Sequence, residues 1–160
     1  MNKIVLSIIC FSLIIIGCNN DQFNIKLRDD YDYKKIHNLI NEIYDNAKNK
    51  NVDYFLSIKD FELSTIERHR GTLDVLRLRH NKLEYSDKEM LEYYYTLEIN
   101  SIMDMIISSK LNKNYKKNVY MIKDGINFNF HLDNSGIHYQ IYIHKDEDRN
   151  WVLTDIALCR

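Results

Sequence analysis

The sequence contains no proline and only four glycines among its 160 residues. These two residue types mark long loops, so their scarcity favours a chain built of regular elements joined by short connections. Nucleotide-binding loops need clustered glycines, whose backbone approaches the phosphate groups closely. Because the sequence has no such cluster, P-loop and dinucleotide-binding roles are excluded.

Neither sign of charge is in clear excess, since 22 lysines and arginines stand against 23 aspartates and glutamates. Nucleic-acid-binding domains usually carry a marked basic surplus, so no nucleic-acid partner is expected. One local exception is the arginine-rich stretch at residues 67–82. We interpret it as a solvated face with arginines paired to nearby carboxylates, the alternative being contact with anionic lipid headgroups.

An apolar run occupies residues 4–16, with Lys3 before it and Gly17 and Cys18 after it. The run is too short to cross a bilayer, which takes roughly 20 apolar residues. A cationic start, an apolar core and a small residue before a cleavage point are the layout of a secretory signal.

The segment Ile15-Ile16-Gly17-Cys18 resembles the lipobox of bacterial lipoproteins. The resemblance implies that residues 1–17 are a signal peptide cut after Gly17, and that Cys18 carries diacylglyceryl and acyl groups such as palmitate. An ordinary cleaved signal or a short anchor helix is the alternative interpretation.

The same resemblance implies the domain organisation. Residues 18–30 would be the lipidated cysteine and a polar tether, and residues 31–160 a single globular domain. Because two or more acyl chains give stable attachment, we expect a lipid-anchored protein of the cell membrane or outer membrane, facing the periplasm or the cell exterior. With Cys10 removed and Cys18 lipidated, Cys159 is left without a disulfide partner.

The first two thirds of the domain show the apolar period of helices. A stripe that starts at Ile36 and ends at Ala47 predicts a helix over residues 32–48. After it, Asp53 is predicted to cap a short helical segment that extends to Ile58.

Two sequences fit capping boxes, in which a hydroxyl and a glutamate satisfy helix N-terminal N–H groups. The first is Ser64-Thr65-Ile66-Glu67, and it is followed by residues 73–78, whose pattern fits a helix or a strand. The second is Ser86-Asp87-Lys88-Glu89, which predicts a helix over residues 87–110.

Beyond a polar tract at residues 112–118 the apolar period becomes two, as in strands. Asp124-Gly125 predicts a tight hairpin turn. The expected strands form an antiparallel meander of four: residues 119–123, 126–132, 137–144 and 151–158.

Apolar positions predict how these strands pair. Pairing Phe128 with Ile141 places the apolar residues of the second and third strands on one face. Pairing His144 with Trp151 adds four fourth-strand residues to that face: Val152, Thr154, Ile156 and Leu158. We expect this face to bind the helices and form the core.

The predicted fold class is therefore α+β, with N-terminal helices packed on a C-terminal four-stranded antiparallel meander sheet. This layout, closing on residues 149–156, resembles cystatin-like and NTF2-like folds. The resemblance implies helices lying across one face of a curved sheet. It implies no particular activity.

The opposite face of the predicted sheet carries polar residues. There His131 and His138 are expected to be cross-strand neighbours, and Asp155, opposite Gln140, lies diagonal to His138. Two imidazoles and a carboxylate are suitable ligands for a divalent metal such as zinc. The alternative is an antiparallel sheet whose solvated face is polar by default, with no cofactor.

No serine or cysteine stands in a recognisable nucleophile motif, so the sequence leans away from an enzyme. The leading hypothesis is a non-enzymatic, lipid-anchored domain that binds an envelope or secreted protein, as an inhibitor or immunity-type protein does. Two alternatives stay open: a small-molecule or metal-binding or hydrolytic domain that uses the sheet histidines, and a surface adhesin.

Overall fold

The structure, a computed structural model, describes residues 30–117, 119–122, 125–131 and 136–159. Its helices are α1 (Asp30–Lys48), α2 (Val52–Leu56), α3 (Leu63–His80), α4 (Asp87–Ser108) and α5 (Leu111–Asn114), followed by a 3-10 turn at Tyr115–Lys117. Its strands are β1 (Val119–Ile122), β2 (Gly125–His131), β3 (His138–Lys145) and β4 (Trp151–Cys159). The predicted α+β class, with helices first and an antiparallel sheet last, is confirmed.

Helix α1 confirms the helix expected over residues 32–48 and begins slightly earlier, at Asp30. Its apolar stripe is buried, with Ile36, Ile40 and Ile43 almost fully removed from solvent. The stripe packs against α4, and α1 also contacts β4, so it joins the helices to the sheet.

Two predicted helix caps are wrong, although the helices exist. Helix α2 is capped by Asn51, whose side chain accepts a hydrogen bond from the backbone N–H of Tyr54, and not by Asp53. Helix α3 begins at Leu63 with no side-chain cap, so the box expected at Ser64 does not form.

The reason lies just upstream of α3, at Asp60. One carboxylate oxygen of Asp60 accepts from the backbone N–H of Glu62 at 2.7 Å, and the other accepts from the hydroxyl of Thr65. The helix therefore begins one residue before Ser64, which lies inside the first turn and cannot cap it, while Asp60 binds the residues on either side of the helix start.

Helix α4 confirms the second capping box. Ser86 accepts from the backbone N–H of Glu89, and the Glu89 carboxylate accepts from the backbone N–H of Ser86 at 2.7 Å. The helix ends at Ser108 and forms the centre of the core. Six of its side chains are fully buried: Met90, Leu91, Ile99, Ile102, Met103 and Ile106.

Residues 73–78, which fitted either a helix or a strand, belong to α3. The polar tract at residues 112–118 was expected to be a connection, but it contains α5 and the 3-10 turn. Leu111 and Tyr115, one helical turn apart, are both buried and hold this segment against the core.

Strands β2, β3 and β4 form the antiparallel sheet, and β1 pairs antiparallel with β2. The predicted pairing of Phe128 with Ile141 is confirmed. Gly125 was expected in the turn but lies in β2, opposite Ile122 and His144. The other proposed turn residue, Asp124, lies outside the described residues.

The predicted register between β3 and β4 is wrong. Tyr142 pairs with Asp155 and Ile143 pairs with Leu153, so Thr154 is an extra residue that forms a β-bulge. The bulge changes which side chains share a face: Leu153 and Ile156 both contact the core, and Thr154 is exposed. Of the four residues expected to face the core, Val152 and Thr154 do not, and Leu153 takes their place.

Candidate functional site

A buried ammonium group lies where the helices meet the edge of the sheet. Lys59, between α2 and α3, has a side chain that is only 7% exposed. Its Nζ lies 3.2 Å from Oδ1 of Asp155 and 4.0 Å from Oε2 of Glu98, and it donates to the backbone oxygen of Ile156.

Glu98 completes this cluster from α4. Its Oε1 accepts a hydrogen bond from the backbone N–H of Leu158 at 3.2 Å. Strand β4 is the last strand of the described sheet, so its outward backbone groups would otherwise lack partners. Lys59 and Glu98 thus satisfy one outward carbonyl and one outward N–H of this edge strand.

Burial dominates the electrostatics of the cluster. Burial raises the pKa of the Glu98 carboxyl above its ordinary value, while the charge of Lys59 opposes this shift. Burial also raises the pKa of Tyr95 to about 12, with the nearby Glu98 acting in the same direction. The Lys59 ammonium lies 5.1 Å from the centre of the Tyr95 ring, so an aromatic face covers its remaining side.

A cleft of about 410 Å³ opens beside the cluster. Its lining includes the exposed Arg68, the half-buried His69 and Tyr94, and the buried side chains of Lys59 and Glu98. Because the buried charges bond to one another and to β4, they hold the fold together and do not point an unsatisfied group at a ligand. Sequence reasoning missed this cluster, since Lys59 and Glu98 belong to no motif.

The predicted metal site comes together only in part. The backbones of His131 and His138 pair as expected, but the side chain of His131 lies outside the described set. Asp155 is opposite Tyr142, not Gln140, and it binds Lys59. Among the side chains that are described, no three His, Cys, Asp or Glu residues are grouped as metal ligands.

The polar face of the sheet instead carries a line of hydrogen-bonding side chains. Tyr142 donates its hydroxyl hydrogen to Gln140, whose Nε2 lies 3.3 Å from Nε2 of His138. Near this line, Nε2 of His144 and the Oδ1 atoms of Asn127 and Asn129 are buried without a hydrogen-bond partner within the described part of the chain.

Helix α3 presents aliphatic side chains to solvent. Leu78 is 73% exposed and Val75 is 54% exposed, and Leu63 and Leu83 lie at the two ends of the helix with similar exposure. We name these four residues the α3 surface. The main packing partner of α3 is α4, which its opposite side contacts through Ile66 and Leu73.

The sequence held a signal for this surface that its analysis did not use. Aliphatic residues lie on both sides of α3, whereas a helix that packs on one neighbour needs them on one side only. The arginine-rich stretch is partly paired, as expected: Arg77 binds Asp74 at 2.7 Å and also binds Asp87. Of the three consecutive tyrosines at residues 93–95 of α4, Tyr95 is buried and its two neighbours are half-buried.

No described helix combines the length with the apolar character that a membrane crossing requires. Gly17, Cys18 and the rest of the predicted signal and tether up to residue 29 lie outside the described residues. Comparison with known proteins finds no matching family model, curated protein or solved structure.

Proposed function

We propose that this chain is a lipid-anchored, non-enzymatic domain that binds a protein partner in the bacterial cell envelope. The observation that carries the proposal is the α3 surface. An inhibitor or immunity-type protein directed at an envelope or secreted enzyme is one concrete form of this function.

The energetic argument starts from solvent exposure. Burying an exposed leucine or valine side chain contributes about 1.5–3 kcal/mol, so an aliphatic cluster left in water is a source of binding energy. Leu78 and Val75 lie less than one helical turn apart on the same side of α3, where one partner can cover both. By contrast, the ionic groups of the cleft are already engaged within the fold.

Binding is tested by affinity capture. The full chain with a C-terminal tag is recovered from envelope extracts of the source bacterium, beside the Val75→Asp/Leu78→Asp double variant. We expect a stoichiometric partner that the unmodified chain retains and the double variant loses. Leu97→Asp, which alters an exposed leucine on α4, is the matched control and should retain the partner.

Thermal unfolding of each variant verifies that the domain is folded. Retention of the same partner by the double variant would remove the α3 surface from the proposal. Recovery of no partner by any chain would remove protein binding itself.

The anchor is proposed from Ile15-Ile16-Gly17-Cys18. Mass spectrometry of the native protein should find an N-terminal Cys18 that carries diacylglyceryl and acyl groups. Cys18→Ser should keep the signal uncut and release no lipidated form. Detection of an unmodified Cys18 in mature protein would contradict the anchor.

Protease treatment of whole cells then separates two locations. A protected domain faces the periplasm, as we propose for an inhibitor or immunity-type role. A domain cleaved from intact cells is displayed at the surface, as an adhesin would be.

The finer architecture is also part of the proposal. We infer a complete four-stranded meander that curves around the helices in the manner of cystatin-like and NTF2-like folds. Its support is the contact of α1 and α4 with β4, at one side of the sheet. An experimental structure with a flat sheet, or with no contact between α1 and the sheet, would contradict it.

A further inference from the structure

Two residues of the α3 surface form, together with Gly71, a short line spaced as in paired helices. Gly71, Val75 and Leu78 follow one another at intervals of four and three residues, and all three are exposed. This alternation keeps side chains on one line along a helix, which is the seam of a two-helix coiled coil.

Gly71 leaves a gap in this line of side chains. It lies inside α3, where glycine costs about 1 kcal/mol relative to alanine. A Cβ atom at this position would meet no other atom within 4 Å, so the fold itself does not require glycine there. A residue without a side chain leaves room for another backbone to approach.

Opposite charges flank the line. On one side lie the carboxylates of Glu67 and Asp74, and on the other lies the guanidinium group of Arg79, while Arg68, seven residues before Val75, continues the line itself. Asp74 is bound by Arg77 of its own helix but remains 63% exposed, so it can accept a second cation.

We propose that α3 pairs in parallel with α3 of a second copy of this chain. The proposal goes beyond the proposed function and does not depend on it, because a second copy would cover the α3 surface in place of an envelope protein. In a parallel pair each acidic flank meets the basic flank of the partner copy. Asp74 precedes Arg79 by five residues, which is the offset of the flanking ion pairs in parallel two-stranded coiled coils.

The antiparallel alternative fails on charge. A two-fold axis perpendicular to the helices brings the same flank of each copy together, so Asp74 of one copy would face Glu67 of the other. Shared anchoring raises the effective concentration of each copy for the other.

The experiment uses the full chain in membranes. Val75→Cys places a thiol on the line, where two parallel copies bring it face to face, and oxidation should yield a covalent dimer on a non-reducing gel. Leu63→Cys, on the same helix but away from the line, should yield no more dimer than the unsubstituted chain. The unsubstituted chain measures the dimer that forms through Cys159 alone.

Charge exchange tests the direction of pairing. In the Val75→Cys chain, Asp74→Arg and Arg79→Asp should each weaken the dimer about tenfold, because each turns two attractive contacts into repulsive ones. The double variant Asp74→Arg/Arg79→Asp exchanges the flanks and should restore the dimer. Circular dichroism verifies that every variant keeps its helices.

A Val75→Cys yield no higher than that of Leu63→Cys overturns the proposal, as does a double variant that stays weak. If an envelope protein is still captured through Val75 and Leu78 in that case, protein binding stands and self-pairing falls. If cross-linking succeeds and nothing is captured, self-pairing stands and the inhibitor-type role falls.

Discussion

Lys59 shows how one charged residue can decide the local structure. Its ammonium group is almost fully buried, and it binds Asp155, the backbone of Ile156 and, more distantly, Glu98. Removal of one partner from a buried ionic group leaves the others without compensation, which costs more than the loss of an exposed ion pair. This chain contains both a buried lysine in an ion pair, Lys59, and an exposed one, Lys50, so the two can be compared.

We expect Lys59→Met to lower the free energy of unfolding by about 3 kcal/mol, since it leaves Glu98 buried without its cation. Lys50→Met is the matched control, because Lys50 and Asp104 form an ion pair whose side chains are 49% and 71% exposed. The control should change stability by less than about 0.5 kcal/mol. Urea unfolding of both variants measures the difference, and equal losses would show that the Lys59 cluster contributes little.

Replacement by alanine should have opposite effects on stability at Gly125 and at Gly71. A Cβ atom on Gly125 would lie 2.1 Å from Cδ2 of His144 and 2.4 Å from the backbone oxygen of Ile143. Gly125→Ala should therefore destabilise the domain by about 1–3 kcal/mol. In the dilute, unpaired domain Gly71→Ala meets no atom and should stabilise α3 by about 0.5–1 kcal/mol.

Differential scanning calorimetry of the two variants shows whether each substitution raises or lowers the melting temperature. A stabilising Gly125→Ala would mean that the His144 ring does not rest on Gly125. A destabilising Gly71→Ala would mean that a neighbour occupies the space beside α3.

At the scale of the element, helix starts in this chain use different chemistry. Helix α4 has a complete capping box of Ser86 and Glu89, and the Ser86 hydrogen bond lowers the pKa of the Glu89 carboxyl. Helix α3 has no side-chain cap, and Asp60, just before it, binds the Thr65 hydroxyl and the backbone N–H of Glu62. These two hydrogen bonds, that of Thr65 above all, lower the pKa of Asp60.

Replacing the serine of each predicted box with alanine measures this difference. Ser86→Ala should cost about 1 kcal/mol of stability, because an N-terminal N–H of α4 loses its acceptor. Ser64→Ala, in the box that the sequence predicted and α3 does not form, should cost less than about 0.3 kcal/mol. A loss of stability for Ser64→Ala equal to that for Ser86→Ala would restore the predicted cap.

The sequence predicts those features that local pattern determines. The stripe in α1, the capping box of α4 and the pairing of β2 with β3 all follow from residues close together in the chain or from strict alternation. Alternation alone cannot reveal the bulge at Thr154, because a single extra residue exchanges the two faces of the strand beyond it.

The Lys59 cluster was unpredictable for a different reason. Lys59, Glu98 and Asp155 are brought together from a connection, a helix and a strand, and no spacing rule links residues so far apart. The α3 surface was visible in the sequence as aliphatic residues on both sides of a helix, but only the position of α4 shows which side is unoccupied.

At the scale of the whole molecule, α1 is tied to the last hairpin. Asp32 accepts a hydrogen bond from Lys145 at 3.0 Å and another from Nε1 of Trp151 at 3.3 Å. The hydrogen bond from Lys145 is the main reason that the pKa of Asp32 lies below the ordinary aspartate value. Residues more than 110 positions apart are therefore held together by one carboxylate.

This tie predicts a dependence of stability on pH. Because the pKa of Asp32 is lowered on folding, its contribution is complete above the ordinary value of 3.8 and is lost as the pH falls through the folded value. Asp32→Asn should cost about 1 kcal/mol at pH 7 and little at pH 2. Asp104→Asn, at an exposed ion pair, is the control and should show no such trend in thermal melts.

The position of Asp32 also affects how the domain would respond to a pulling force. If the chain before α1 is fixed to a membrane, a pull on the domain enters at the first turn of α1, where Asp32 passes part of the tension across to Lys145 and Trp151. The hairpin and the helix would then resist extension together, so the domain should yield to force in a single step at its membrane-proximal end.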